Sequence, residues 1–285
     1  MKVVIIGSGN VATVMGARIV AAGHKVLQVV ARKPDGRKPD GRKSDGRPGQ
    51  RGAAGPMGEA AAGPMGAALL AEEWGCPYTT EWADVTREAE LYIVALSDTA
   101  LAGLGEVLQL PGALVVHTAG AAAAAVLRPV SERYGVLYPL QSLRRNIRPF
   151  PEFPLLIDAG QPADLAIIED FAHSIAKEVR QADDASRLKL HVAAVLINNF
   201  SNYLYTLSAE FCRREGVDFS LLLPIIRETA ARVERYPPEE VQTGPAIRGD
   251  AGTIRRHLDV LSNYADIKEL YQIFSDQIEA YYRNG

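Results

Sequence analysis

Short apolar runs separated by helical stretches organise the first two-thirds of the chain. Val3–Ile6 is a continuous apolar run, the pattern of a parallel strand covered on both faces. Gly7-Ser8-Gly9 interrupts it, Val11–Ala22 has helical character, and Gly23 suits a helix C-terminus. Lys25–Ala31 predicts the second strand, so the chain opens with a strand, a glycine turn, a helix and a strand, a right-handed parallel unit. Further on, Ala67–Trp74 reads as a helix ended by Gly75. Leu91–Leu96, Ala113–His117, Gly135–Tyr138 and Leu155–Asp158 read as buried strands. A helix over Pro162–Ala176 and a short strand at Glu178–Gln181 complete the expected sheet. After Asp184 the strand pattern stops, and four long helical patterns follow: Ala185–Glu215, Ser220–Arg235, Gly252–Ser262 and Ala265–Tyr282. The pattern predicts a doubly wound α/β domain with a parallel sheet over residues 1–182 and an all-α domain over 183–285.

One segment breaks the rhythm. Residues 32–46 repeat RKPDG-RKPDG-RKSDG, and nine Gly and five Pro lie between Pro34 and Gly66. Such a composition offers few apolar groups to offset the entropy of ordering, so residues 34–66 are expected to be a mobile surface insertion. The glycines do not recur at every third position, which argues against a collagen-like segment. The net charge of −3 conceals this insertion, because residues 32–51 carry eight Lys/Arg against three Asp. An acidic body with one basic loop is not the distributed basic face of a nucleic-acid binder. The two cysteines, Cys76 and Cys212, cannot build a disulfide framework or a multi-cysteine zinc site, and no metal is expected. No apolar run approaches the ~20 residues of a membrane span. The first run is too short for a signal peptide, so a cytoplasmic location is expected.

Gly7-Ser8-Gly9-Asn10-Val11-Ala12 fits G-x-G-x-x-A in the context that gives the pattern meaning: after an apolar strand and at the start of a helix. Gly7 permits the tight turn, Gly9 lets a diphosphate reach the backbone, and Ala12 lets the helix pack on the strand. The helix N-terminus offers N–H groups to the phosphates. Gly7, Ser8, Gly9, Asn10 and Val11 are therefore candidate cofactor contacts in a Rossmann-type domain; the alternative is a plain strand–helix turn. The second strand ends at Arg32 and Lys33, where an NAD enzyme usually carries an acid. Basic side chains complement a ribose 2′-phosphate and point to NADP. The alternative is that Arg32 merely begins the basic insertion.

In GSGNVA, Val94–Asp98, Val115–Ala121, Tyr138–Ser142, Leu190–Tyr205 and Thr243–Thr253 the chain resembles Rossmann-like NADP oxidoreductases that carry a C-terminal helical domain of unknown function. This family lies within the 6-phosphogluconate dehydrogenase-like superfamily, alongside pyrroline-5-carboxylate reductase, ketopantoate reductase and prephenate dehydrogenase. The resemblance spans nearly the whole chain except about 34–66. It implies an oxidoreductase that transfers a hydride between NADPH and a small substrate held between the domains. It also implies a homodimer formed through the C-terminal helices. In related dehydrogenases the loop at Ser97 lines the nicotinamide ribose, and Thr118 takes the place of a hydroxyl near the reacting carbon.

Three loops end strands with polar residues, where ligands collect in such sheets. They hold Ser97-Asp98, His117-Thr118 and Gln141-Ser142. Ser97 and Asp98 are also good N-cap types for a following short helix. His117 reads either as a substrate contact, with Gln141, or as a satisfied strand-end histidine. On the long helix after Asp184, an ideal wheel places His191 at 0°, Asn198 at about −20° and Asn202 at about 20°, with Val195 between them at about 40°. Related dehydrogenases carry a Lys and an Asn one turn apart there; Lys189 falls at about 160°, so that lysine does not transfer. His191 becomes the candidate proton donor, since an imidazole can give and take a proton near neutral pH, with Asn198 and Asn202 as orienting groups. The alternative is a structural histidine whose Asn neighbours bond adjacent helices. Arg248 is the candidate clamp for an anionic substrate. Asp250 either caps the next helix or holds Arg248. Arg144, Arg145 and Arg148 read as a solvated loop.

These expectations describe a reductase of a small oxo- or imino-acid. Its rivals are a non-catalytic NADP-binding sensor module and a protein exchanging hydride with a deazaflavin.

Overall fold

The computed structural model describes residues 1–32 and 63–283. Lys33 and residues 34–62 of the predicted insertion therefore lie outside the described residues.

Eight strands form one sheet: β1 (Lys2–Ile6), β2 (Lys25–Val30), β3 (Tyr78–Thr79), β4 (Leu91–Val94), β5 (Leu114–His117), β6 (Arg133–Pro139), β7 (Leu155–Ala159) and β8 (Val179–Gln181). Their order is β3-β2-β1-β4-β5-β6-β7-β8. Neighbours are parallel except β6 and β7, which pair antiparallel. This departs from the all-parallel expectation for a local reason. No helix lies between Pro139 and Leu155, and antiparallel pairing needs no crossover. The two-residue β3 lies at the edge of the sheet, too short to leave a sequence pattern.

The apolar runs are continuous because both sheet faces are covered. Val3 and Ile5 enter one core, with Val14, Met15, Ile19 and Phe171; Val4 and Ile6 enter the other, with Leu101, Leu104 and Leu127. The first core lies under α1 (Asn10–Ala21), α2 (Pro64–Trp74) and, further on, α5 (Pro162–Ile175); the second lies under the short α3 (Asp98–Ala102) and α4 (Leu104–Val107). Helix α2 begins at Pro64, three residues earlier than expected, so the last residues of the predicted insertion are helical. Proline suits a first helical position because its missing N–H would have no intrahelical partner there. Gly16 of α1 makes room for Trp74 of α2. A Cβ on Gly16 would lie 2.1 Å from the indole ring.

The remaining helices are α6 (Asp184–Ala194), α7 (Ser201–Glu215), α8 (Leu223–Val233), α9 (Ala251–Val260) and α10 (Ala265–Arg283). Asp183 caps α6 by accepting from Ser186 N–H at 2.7 Å. A π-helical turn, Val195–Phe200, joins α6 to α7 where one uninterrupted α-helix was expected. The compact units are Met1–Asn198 and Asn199–Gly285. The second unit is helical throughout its regular structure and buries few apolar side chains, Cys212, Ala246 and Leu261 among them. No helix among the described residues is long and apolar enough to cross a membrane.

Candidate active site

The glycine turn leaves the carboxyl end of β1 and enters α1. Gly7 has a φ of 130° and donates its N–H to Val30 O at 2.8 Å. A Cβ there would sit 2.3 Å from Ala95 O, so a side chain is excluded by both backbone and space. Gly9 is the N-cap of α1 with an ordinary φ of −85°, and a Cβ there would meet nothing within 4 Å. Among the described residues the space beside Gly9 is thus open, while the first-turn N–H groups have no intrahelical acceptors. Backbone donors beneath an open cradle fit a dinucleotide diphosphate. Ser8 is buried and exchanges hydrogen bonds with Gly63: its Oγ donates to Gly63 O at 2.9 Å and accepts from Gly63 N–H at 3.0 Å. Its hydroxyl anchors the start of α2; Asn10 is exposed. The backbone N–H of Arg145 donates to Asn10 Oδ1 at 3.2 Å, and its guanidinium approaches Ser8 O at 3.5 Å. The basic segment read as solvated is therefore drawn over the glycine turn, and Arg148 pairs with Glu73 of α2 at 3.3 Å.

Beyond β2, exposed Arg32 lines a cleft of about 300 Å³ with Thr80, Glu81, Trp82, Leu96 and Thr99. The cleft opens at the carboxyl ends of β2, β3 and β4, where the adenosine half of a dinucleotide lies in this fold. Arg32 has the position and charge to receive a 2′-phosphate. Ser97 sits at the N-cap of α3, exposed and without a side-chain capping bond, and Asp98 begins the helix.

The loop after β5 corrects one expectation. His117 has no exposed surface; its Nδ1 accepts from Ala119 N–H at 3.2 Å, and its Nε2 bonds Ala123 O at 3.3 Å. Burial, reinforced by the nearby Arg187 charge, lowers its pKa to about 4. Both ring nitrogens of this neutral imidazole are engaged with backbone, so His117 orders the loop and has no free atom for a substrate. Thr118 is buried, and its Oγ1 faces Val94 O at 3.4 Å.

His191 of α6 meets Tyr138 near the carboxyl end of β6. Tyr138 Oη and His191 Nδ1 lie 2.9 Å apart, with the rings edge-on. Tyr138 is buried and His191 partly exposed. Burial pushes the Tyr138 phenol up, opposed by the charge of Arg187. Gly120 of the β5 loop packs against the pair: a Cβ there would lie 2.5 Å from His191 Nδ1 and 2.9 Å from Tyr138 Cζ. The bond to Tyr138 fixes the ring and leaves Nε2 as the other proton-carrying atom. Tyr138, Gly120 and Arg187 escaped the sequence reading of the site. Tyr138 lay inside a recognised strand segment, and Arg187 is four residues before His191 and so on the same helix face, the one signal that was available.

The other candidates are less engaged. Gln141 is exposed and its Oε1 accepts from Ser142 N–H at 2.8 Å. The π turn changes the angular step of the helix, so the polar stripe drawn on an ideal wheel does not continue through it. Asn198 lies in that turn, exposed and without a hydrogen bond to His191, and Asn202 is exposed in α7. Arg248 is exposed in the second unit; Asp250 caps α9 by accepting from Thr253 N–H at 2.9 Å.

Comparisons with known proteins agree with this architecture. A Rossmann-like domain family matches residues 77–141, and a domain family of unknown function, DUF2520, matches residues 153–278. A Bacteroides fragilis protein, provisionally named an NADP oxidoreductase, is 32% identical over 98% of both chains, with a TM-score of 0.82. The chain belongs to this family of Rossmann-like proteins with the DUF2520 domain. The fold extends further. A 1-pyrroline-5-carboxylate reductase from Streptococcus pyogenes superposes with a TM-score of 0.57 at 13% identity, over 98% of each chain. An imine reductase from Myxococcus stipitatus, in complex with NADP+, gives 0.59 at 12% identity, over 100% of this chain and 93% of that one. No curated protein matches the chain.

Proposed function

We propose that the chain is an NADP-dependent oxidoreductase that reduces the C=N or C=O carbon of a small oxo- or imino-acid. The observation that carries this reading is the Tyr138–His191 pair near the carboxyl end of β6, in the same sheet whose β1 carboxyl end bears the glycine turn. In this reading the turn Gly7–Val11 cradles the diphosphate, with the backbone N–H groups beyond Gly7 facing it, and Arg32 pairs with the 2′-phosphate. Lys33 adds charge beside it, and Ser97 and Thr118 flank the nicotinamide side. Bound there, the coenzyme supplies a hydride.

The protein's own task is then position and a proton. A protonated His191 donates from Nε2 to the nitrogen or oxygen that gains charge, while its Nδ1–H stays bonded to Tyr138 Oη. Donation leaves a neutral imidazole in the tautomer that the tyrosine already accepts. Gln141, in the same unit as His191, is the orienting amide in this scheme. The Bacteroides fragilis relative, 32% identical and provisionally named an NADP oxidoreductase, supports the coenzyme and the reaction class.

The test is NADPH oxidation followed spectrophotometrically with 1-pyrroline-5-carboxylate and with 2-oxo acids plus ammonium. Turnover with NADPH is expected to exceed that with NADH. Arg32→Ala should narrow the gap by about 10–100-fold, the loss of a charge-assisted phosphate bond worth about 1.5–3 kcal/mol. Saturable NADPH binding with no turnover across that panel would instead favour a sensor module.

We also propose a homodimer built through the second unit. Leu221, Ile225, Phe274 and Tyr281 are all exposed there, more apolar helix surface than a monomer usually leaves in water. Light scattering of the full chain should give twice the 30.8 kDa chain mass, and the single-chain mass at micromolar concentration would refute the dimer.

A further inference from the structure

Arg187 is the largest fully buried side chain among the described residues, and no other Lys or Arg among them is buried. Its Nη2 donates to Ala122 O and to Asp184 Oδ1, while Nε and Nη1 have no partner among the described residues. Its carboxylate partner is nearly half exposed. A buried cation so incompletely matched is poor economy for stability, because an apolar side chain of similar volume usually serves a fold as well or better.

What the guanidinium holds explains its presence. Thr118–Ala124 contains no side chain larger than threonine, and its anchors come from two neighbouring elements. His117 holds Ala119 and Ala123, Asp184 Oδ1 accepts from Ala124 N–H at 2.9 Å, and Arg187 holds Ala122. Gly120, in the middle of this segment, is the residue against which His191 and Tyr138 pack. Arg187 and His191 are four residues apart on α6 and share a face. One end of that face clamps the loop; the other end rests on it.

We infer that Arg187 is a positioning residue: by tying the β5 loop to the start of α6 it sets the Tyr138–His191 contact over Gly120. This rests on the reading of that pair as the proton-delivering group, but the geometry can be tested without any substrate. In full-length protein labelled with 15N-histidine, long-range 15N–1H spectra report the ring nitrogens, and His191→Gln identifies the His191 signals among the five histidines. Tyr138→Phe and Arg187→Met are expected to shift the His191 Nδ1 signal in the same direction. NADPH affinity should stay within about twofold, while the melting temperature should fall because Ala122 O and Asp184 lose the donor that held them. With a substrate that turns over, Arg187→Met should lower kcat about tenfold or more at unchanged coenzyme KM, the signature of lost alignment. Arg187→Lys keeps the charge on a shorter side chain whose ammonium reaches Ala122 O and Asp184 less well than Nη2 does, and is expected to give an intermediate shift. Wild-type His191 signals in a folded Arg187→Met protein, or in the Lys variant should the Met variant fail to fold, would overturn the inference. Loss of NADPH binding in wild type would instead refute the coenzyme reading and leave this spectroscopic result standing.

Discussion

Replacing His191 with alanine is expected to lower turnover by about 10²–10⁴-fold, the usual contribution of a positioned general acid. NADPH affinity should be unchanged, because the imidazole meets Tyr138 and Gly120 and makes no hydrogen bond to the glycine turn. The fold should tolerate the change, since His191 is only partly buried and Tyr138 is the one side chain it bonds among the described residues. The remaining protein would still align coenzyme and substrate, so a residual rate above the uncatalysed one should survive. Tyr138→Phe should fall between wild type and His191→Ala: it removes the hydroxyl that fixes the ring and keeps the acid itself. Wild-type kcat in His191→Ala, measured by NADPH absorbance with a substrate that turns over, would remove His191 from the proton-transfer step.

The second large effect belongs to the glycine turn. Gly9→Asp should abolish detectable coenzyme binding while leaving the fold intact. Gly9 has an ordinary φ and its Cβ position is open, so the backbone accepts a side chain without strain. An aspartate there projects into the cradle proposed for the diphosphate. Two unit charges about 4 Å apart at an effective dielectric of 20 repel by about 4 kcal/mol, which is roughly three decades in affinity. The site offers a built-in contrast. Gly7→Ala would fail differently, through a positive φ and a 2.3 Å approach to Ala95 O, and should lower the melting temperature as well. A Gly9→Asp protein that binds NADPH like wild type would place the coenzyme elsewhere or nowhere.

The parts of the molecule that were legible in advance share a physical cause. Val3–Ile6 and Leu91–Val94 are uninterrupted apolar runs because cores cover both faces of the sheet. Gly7 was legible as a turn residue because its positive φ and its approach to Ala95 O leave no room for a side chain. Local patterning failed where local sequence does not decide. Nothing in Val195–Phe200 distinguishes a π turn from the α-helices on either side, and the missed turn took the Asn198 and Asn202 stripe with it. His117 looked like a site residue because it ends a strand; only the positions of Ala119 and Ala123 show both nitrogens engaged with backbone. Tyr138 and Arg187 were hidden for the opposite reason. Their roles depend on residues 53 and 65 positions away in the chain, His191 and Ala122, and no periodicity encodes such a meeting.

All of the chemistry proposed here begins with the turn between β1 and α1 receiving a nicotinamide coenzyme. Titration calorimetry of the full chain with NADPH and with NADH tests this without knowledge of the substrate. Saturable binding of NADPH, weaker binding of NADH, and loss of the NADPH signal in Gly9→Asp are expected. No binding of either coenzyme to the wild-type protein would contradict the coenzyme reading.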